Sequence, residues 1–260
     1  MRKKILLIVI ILLITSACQA TGTQPTITQI PPVVQTQVVY PTQTSAAQSN
    51  GFTLDYSTVA SNVTIELVPA KLDEAQSPFW EIGPKYYRIS IEGYASGVSR
   101  ITPQIIIYSI DELSAANAAA GAIASDLAAL LQSGQAEEPM PYLPLNNSSQ
   151  VLHAQVKFLD FNGGRGVRYL AQFNQGIVPI NNQALFYTFQ GITSDGKHYI
   201  AVQLPVSLPA LPSDTNFSED VSDIPAYMAQ TAEMLDQQPA NSFTPDLALL
   251  DAMMQSIRIQ

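Results

Sequence analysis

Residues 184–206, ALFYTFQGITSDGKHYIAVQLPV, contain the clearest structural signal in this chain of 260 residues. Two segments rich in β-branched and aromatic residues, Ala184–Thr193 and His198–Val206, flank the short polar stretch 194–197. Short apolar runs bounded by turn residues are typical of β-strands. The Asp195-Gly196 pair supplies the positive φ that a tight hairpin turn requires. The stretch therefore predicts an antiparallel β-hairpin.

A second hairpin is predicted just upstream, where Leu152–Phe161 and Gly166–Phe173 flank a glycine-containing turn at 162–165. Four earlier segments have the same β-branched and aromatic composition and are also predicted to be strands. They are Thr53–Val59, Val63–Val68, Tyr86–Tyr94 and Pro103–Ile110.

Three segments have features typical of helices. Ser109 and Glu112 have the spacing of a capping box, and Gly134 is a suitable C-terminal stop. Between them, apolar residues fall on one helical face: Leu113, Ala116, Ala120, Ile123, Leu127 and Leu130. A second helix is predicted from about 223–225 to Gln237. A third is predicted to open at Thr244-Pro245, because proline suits the first helical position.

The order of these elements indicates the fold class. Four strands, a helix, two hairpins and two helices do not alternate as βαβ units do, which favours an α+β fold. We expect residues 51–260 to form one globular domain. It should contain a single antiparallel sheet of about seven or eight strands with helices packed on its faces.

The N-terminus has the pattern of an export signal. Basic residues at 2–4 precede an apolar run, Ile5–Ile14, and small residues then lead to Cys18, the only cysteine. The run is too short to span a bilayer, which needs about 20 helical residues, so a signal peptide at 1–17 is expected. Residues 14–18, ITSAC, resemble the lipobox of bacterial lipoproteins. That resemblance implies lipidation of Cys18 and a location on the extracytoplasmic face of the cell membrane. The alternative is an ordinary signal peptide with an incidental cysteine.

Residues 18–50 are interpreted as the lipid-anchored cysteine and its tether. From Gln19 to Asn50 there is no charged residue, and Thr, Gln and Pro predominate. Such a composition opposes a packed core. A wall-embedded or glycosylated stalk is the alternative interpretation. The net charge is −9, and removal of the signal with its three basic residues would take it to −12, which disfavours nucleic acid as a partner.

The C-terminal residues suggest a family for the folded part. The stretch 249–259, LLDAMMQSIRI, is similar to the closing helix of PsbP-like α/β/α sandwich domains. The whole chain also resembles bacterial lipoproteins that carry Thr/Pro-rich tethers. The PsbP-like resemblance implies a sandwich fold and a non-catalytic binding or assembly-support role more often than an enzyme. It carries over no functional residue.

Motifs for chemistry are few. Ser194 and Lys197 have S-x-x-K spacing, but that chemistry needs a helix and they lie in a predicted hairpin turn. His153 and His198 lack the neighbouring ligands of a metal site. One loop alternates oxygen donors as Ca²⁺ sites do, and a solvated acidic loop is the alternative interpretation. Its candidate ligands are Asp214, Asn216, Ser218 and Asp220. No catalytic residue and no cofactor is predicted.

Candidate partner-binding residues lie in two proline-containing loops. Phe79 and Trp80 are in one, and Tyr142 is in the other. These side chains either fold back over a sheet edge or expose an anchor for a protein or glycan partner. Arg165 and Arg168 are expected to form structural ion pairs near Asp160, with a ligand-clamping arginine as the alternative. The sequence thus predicts a membrane-anchored, non-catalytic binding or assembly-support lipoprotein. A hydrolase with an unrecognised site is the alternative.

Overall fold

The computed structural model describes residues 46–49, 51–72, 77–95, 97–136, 138–216 and 221–259. These residues belong to a compact unit that spans Gln43–Gln260. The predicted signal peptide, Cys18 and the tether up to residue 45 lie outside the described residues. Among the residues described, no helix is long and apolar enough to cross a membrane.

In the described residues, the fold consists of two antiparallel sheets and four α-helices. In chain order the strands are β1 (Ala46–Ser49), β2 (Phe52–Asp55), β3 (Asn62–Val68), β4 (Tyr86–Glu92), β5 (Gln104–Ser109), β6 (Ser149–Phe161), β7 (Gly164–Asn174), β8 (Phe186–Thr193), β9 (His198–Pro205) and β10 (Arg258–Ile259). The helices are α1 (Ile110–Ala116), α2 (Ala118–Ser133), α3 (Ile224–Asp236) and α4 (Leu247–Gln255). The large sheet has the strand order β3-β4-β5-β9-β8-β7-β6, and the small sheet has the order β1-β2-β10. The predicted α+β class is confirmed.

The expectation of a single sheet is wrong, because strand β2 pairs with β1 and β10 in a separate small sheet. After α4 the chain returns as β10, and Arg258 pairs with Thr53 while Ile259 pairs with Phe52. Phe52 and Leu54 are buried in the core beside α4. This pairing joins segments about two hundred residues apart, and no local pattern in either segment indicates its partner.

The large sheet is covered on both faces. Because side chains alternate along a strand, Ile105 and Ile107 belong to one core and Ile106 and Tyr108 to the other. The first core packs under α3, α4 and the small sheet, and its buried residues include Tyr187, Phe189, Val202, Leu250 and Met254. The second packs under α1 and α2, and its buried residues include Leu113, Leu127, Val167, Tyr169 and Tyr199.

Both predicted hairpins are confirmed. Strands β6 and β7 are joined through Gly163 with φ 106°, and β8 and β9 through Gly196 with φ 71°. Glycine reaches these positive φ values without the Cβ clash that other residues suffer.

Two predicted helix boundaries are wrong. The first helix is split at Asn117, whose extended backbone (φ −149°) ends α1 and whose side chain accepts hydrogen bonds from the first amides of α2. The last helix does not begin at Pro245. Asp246 is its N-cap, since its carboxylate accepts from the Ala248 amide at 2.8 Å. In both places a side-chain oxygen that can cap a helix determines the boundary.

Six of the buried tyrosines have hydroxyl groups whose pKa is raised by burial. Burial raises the pKa of each hydroxyl above its ordinary value near 10. They are Tyr94, Tyr108, Tyr142, Tyr169, Tyr187 and Tyr199.

We predict cooperative unfolding above pH 10. Since a raised pKa keeps each tyrosine neutral in the folded state, their contribution to stability is complete below the unfolded pKa. It falls as the pH rises above about 10, where the unfolded chain can ionise. Tyrosinate absorbance at 295 nm should therefore rise together with the loss of far-UV circular dichroism. A full tyrosinate signal while the circular dichroism is still native would contradict this account.

Candidate functional site

An ion pair is buried between the large sheet and α4. Arg168 on β7 and Asp251 on α4 are only 5% and 4% exposed. The Arg168 Nε donates to Asp251 Oδ1 at 3.1 Å, and the Tyr187 hydroxyl donates to the same oxygen at 3.1 Å. Lys157 Nζ donates to Asp251 Oδ2 at 2.8 Å. Three donors from three neighbouring strands therefore converge on one carboxylate of the helix.

The charges of Arg168 and Asp251 are buried away from water. Burial raises the pKa of the Tyr187 hydroxyl well above its usual value, and the adjacent Asp251 carboxylate adds to the shift. Tyr187 therefore remains a neutral donor. A buried carboxylate is tolerated only when it is paired and hydrogen-bonded. The role of Asp251 is therefore structural, because its contacts hold α4 on the sheet.

A bulge in β6 joins this cluster to α3. Gln155 has φ 57°, and its carbonyl accepts from Arg168 Nη1. The Gln155 Nε2 donates to the carbonyls of Leu235 at 2.8 Å, Asp236 at 3.2 Å and Gln238 at 2.9 Å. These carbonyls lie in and just after the last turn of α3, where a helix runs out of intrahelical donors, and that of Leu235 also accepts from the Gln238 amide at 3.1 Å. Gln155 thus caps α3 and positions it beside the edge strand β6.

An open groove runs between β6 and α3. Two cavities of about 520 and 690 Å³ share a wall formed by Glu138, His153, Ala229 and Ala232. The His153 Nε2 lies 3.5 Å from Glu138 Oε1, with the Glu138 side chain 79% exposed. Lys157, Glu233 and Asp236 also line the larger cavity. The His153–Glu138 pair is the feature on which a hydrolytic activity would depend.

Exposed apolar side chains are concentrated elsewhere, on the β3–β4 hairpin. Of seven large apolar side chains that are exposed in the described part of the chain, four lie within residues 67–87. They are Leu67 (55%), Leu72 (71%), Phe79 (55%) and Tyr87 (38%). Leu67 and Tyr87 are direct cross-strand neighbours, and the half-buried Trp80 packs edge-on against Phe79 at 5.2 Å. We call these five residues the hairpin surface.

Backbone contacts hold the connection between β3 and β4 in place. Lys71 and Gly83 exchange two backbone hydrogen bonds of 3.0 Å, which extend the hairpin beyond the strands. The Asn117 Nδ2 donates to the carbonyls of Phe79 at 2.7 Å and Ile82 at 3.1 Å. The break between α1 and α2 therefore has a second role, because it supports the backbone that presents Phe79.

The structure separates the predicted partner-binding residues. Phe79 is exposed and Trp80 is half-buried, as an anchor at the surface would be. Tyr142 is only 7% exposed and lies in the second core. Its ring lies 4.4 Å from that of Phe173, and its hydroxyl accepts from Gln203 Nε2. The interpretation of Tyr142 as an exposed anchor is therefore wrong, because its loop folds over the sheet and buries the ring.

The candidate calcium loop is described only in part. Asp214 Oδ1 accepts from the Asn216 amide at 2.9 Å, which closes a local turn, while Ser218 and Asp220 lie outside the described residues. Within the ranges that the structure describes, no group of three or more His, Cys, Asp or Glu side chains could hold a metal ion. Lys197 Nζ lies 3.8 Å from the Asp195 carboxylate in its hairpin turn.

The prediction that Arg168 pairs near Asp160 is wrong. Only Arg165 lies near Asp160, at 3.6 Å, and Arg168 pairs with Asp251 instead. The sequence feature that indicates this pair is an acidic residue on the apolar face of α4. Asp251 lies one residue after Leu250 and four after Leu247, so it points into the same core.

No family model, curated protein or solved structure matches this chain.

We predict that removal of the buried pair is strongly destabilising. Arg168→Met leaves the Asp251 carboxylate without the buried one of its two cations, which should cost about 3–5 kcal/mol of unfolding free energy. The matched control is Arg88→Met, which breaks an exposed pair with Glu66 and should cost less than about 1 kcal/mol. Urea unfolding followed by circular dichroism measures both. Equal losses would show that Arg168 contributes no more than a surface ion pair.

Proposed function

We propose that this protein is a lipid-anchored, extracytoplasmic membrane lipoprotein whose folded domain is a non-catalytic protein-binding or assembly-support module. The observation that carries the binding role is the hairpin surface, a set of five exposed or half-buried apolar side chains, three of them aromatic, on one hairpin and its connection. Such patches on soluble domains mark interaction sites. Aromatic residues are also enriched among those that dominate binding energy.

The charges around the hairpin surface support a protein partner. The neighbouring basic residues are each paired with an acid: Lys71 with Glu81, Lys85 with Glu112 at 2.8 Å, and Arg88 with Glu66 at 2.5 Å. The charges of these three pairs cancel, while Asp73 and Glu74 of the same connection add two acidic residues. An apolar centre with a charged rim is the usual anatomy of a protein interface.

The N-terminal sequence supports the anchor. A basic start, the short apolar run and the ITSAC stretch precede the only cysteine. The acidic chain is repelled by anionic lipid headgroups, so attachment depends on acyl chains. Two or three chains, each contributing roughly 0.8 kcal/mol per buried CH₂, give stable anchoring.

The PsbP-like resemblance belongs to the same proposal. It rests on residues 249–259 and is supported by an antiparallel sheet with helices on both faces. In that superfamily a sandwich of this kind favours assembly support over catalysis, which is an argument from analogy. The hydrolase alternative depends on the His153–Glu138 pair in the β6 groove.

We predict that Cys18 is the site of acylation. In cells fed radiolabelled palmitate, the wild-type chain should carry label and remain in the membrane fraction after alkaline carbonate extraction. The Cys18→Ser variant should lose both properties because it has no thiol to form the thioether. The control Thr15→Leu leaves Cys18 intact and should keep the label. Labelled Cys18→Ser protein would refute the anchor.

We also predict that the hairpin surface contacts a protein partner in intact cells. A photo-crosslinking amino acid at position 79 of the anchored chain should capture a reproducible protein adduct. The same probe at Leu249, 40% exposed on α4, serves as the control position.

Substitution of Leu72 by serine should then weaken capture roughly tenfold or more, as expected for loss of an apolar contact at an interface. The melting temperature should change little, because Leu72 is 71% exposed. Identical adducts at positions 79 and 249, or no protein adduct at position 79, would count against the binding role.

A further inference from the structure

The larger cavity along β6 is lined by opposite charges that do not pair with each other. Its volume is about 690 Å³, and it lies between residues 153–157 of β6 and the last turns of α3. In the described part of the chain, Lys157 and Arg168 form ion pairs only with Asp251. Glu233 and Asp236, which line the same cavity, take part in no ion pair there. Two cations and two carboxylates therefore share one cavity but lie farther apart than an ion pair allows.

Arg168 has one guanidinium nitrogen without a partner. Its Nε donates to Asp251 and its Nη1 to Gln155, while Nη2 donates to no group in the described residues. Arg168 is only 5% exposed, yet Nη2 is not closed off from water. The described side-chain atoms that are both closed off and unpartnered are Asn174 Nδ2 and Gln183 Oε1. Nη2 is therefore an unused donor that solvent can reach, on a residue that lines this cavity.

The position of Nη2 is fixed by the other two nitrogens of the group. A guanidinium is a planar fork whose donors have set directions. With Nε 3.1 Å from Asp251 Oδ1 and Nη1 bonded to the Gln155 carbonyl, Nη2 cannot turn to another acceptor. A carboxylate that enters the cavity thus finds a donor already in place, which lowers the cost of binding.

Two carboxylates lie at the C-terminal end of α3. Glu233 and Asp236 are exposed, and the last turn of this helix contains no basic residue. Negative side chains are unfavourable at this end, because the helix dipole places partial negative charge there. Asp236 Oδ1 accepts from the Gln155 amide, and its Oδ2 accepts from no group in the described residues. A cation bound here would be stabilised by both carboxylates and by the dipole.

Gln155 holds the donor and the acceptor close together. Its amide donates to Asp236, and its carbonyl accepts from Arg168. The two charged groups therefore lie on the N–H and the C=O of a single residue in the β6 bulge. An α-amino acid has a comparably short spacing, because its ammonium and carboxylate groups are attached to one carbon atom.

We propose that this cavity binds a free α-amino acid. The ligand carboxylate accepts from Arg168 Nη2, with Lys157 as a second cation, and the ligand ammonium group donates to Asp236. A phosphate ion would be repelled by the carboxylates of the lining, and a diamine by the two cations. Ala229 and Ala232 leave room beside α3 for a small or apolar side chain. The cavity shares no residue with the hairpin surface, so this binding does not depend on the proposed partner.

The test uses the purified full chain in a maltoside detergent, whose neutral headgroup has neither an ammonium nor a carboxylate group. The probes are alanine and leucine. Each is compared with its N-acetyl form, which lacks the ammonium charge, and with its amide, which lacks the carboxylate. Saturation-transfer NMR detects binding and titration gives Kd. At least one amino acid should bind saturably, and its two derivatives should each bind roughly tenfold more weakly, because each loses a charge-assisted hydrogen bond.

One variant and a matched control locate the ammonium group. In Asp236→Asn the side-chain oxygen still accepts from the Gln155 amide, but the negative charge is gone. Kd for the amino acid should rise roughly tenfold, whereas the N-acetyl form should bind the variant and the wild type alike. Asp126→Asn removes the same charge at an exposed position on α2 and should leave Kd unchanged. Thermal melts confirm that both variants fold.

Three outcomes would overturn the proposal. Neither amino acid binds saturably, a derivative binds as tightly as its parent amino acid, or folded Asp236→Asn protein binds the amino acid as the wild type does. None of these outcomes bears on crosslinking at position 79, so the two proposals fail separately.

Discussion

The buried contact between Arg168 and Asp251 is the constraint on which the rest of this fold depends. Helix α4 is otherwise an apolar helix on an apolar sheet face, and such contacts tolerate sliding. A carboxylate that is 4% exposed and accepts from Arg168, Tyr187 and Lys157 has one satisfactory position. Fixing α4 also fixes β10, which follows it and completes the small sheet. The Gln155 carbonyl on the same guanidinium extends this constraint to α3.

The sequence was most informative where structure is local. Both hairpins follow from turn glycines and alternating composition, and their strands were placed to within a few residues. The helix after β5 follows from Ser109, whose hydroxyl accepts from the Glu112 amide at 3.4 Å. The predictions that are wrong concern contacts between residues distant in the sequence, or a helix boundary that is set by a single capping side chain. Nothing near Thr53 indicates that it pairs with Arg258, and the apolar pattern continues through Asn117, where the helix breaks.

The same contrast between local and non-local features applies to the predicted site residues. Phe79 and Trp80 were identified because aromatic residues in a proline-containing loop are conspicuous, and the structure presents Phe79 at the surface. Tyr142 lies in a loop of similar composition, yet its ring packs against Phe173 and is buried. The unsatisfied amide atoms of Asn174 and Gln183 cannot be predicted from the sequence. Whether an amide is satisfied depends on groups that are distant in the sequence, and Ser213, whose carbonyl accepts from Gln183, is thirty residues away.

Two polar clusters of the interior differ in how completely their hydrogen bonds are satisfied. Around Asp251, both carboxylate oxygens accept from side chains of the sheet, so a structural role explains the cluster. Around Gln183 the network closes except at Asn174 Nδ2 and Gln183 Oε1, which are buried without a partner in the described part of the chain. Each such atom costs about 1–3 kcal/mol, a cost that the Asp251 carboxylate avoids because both of its oxygens are used.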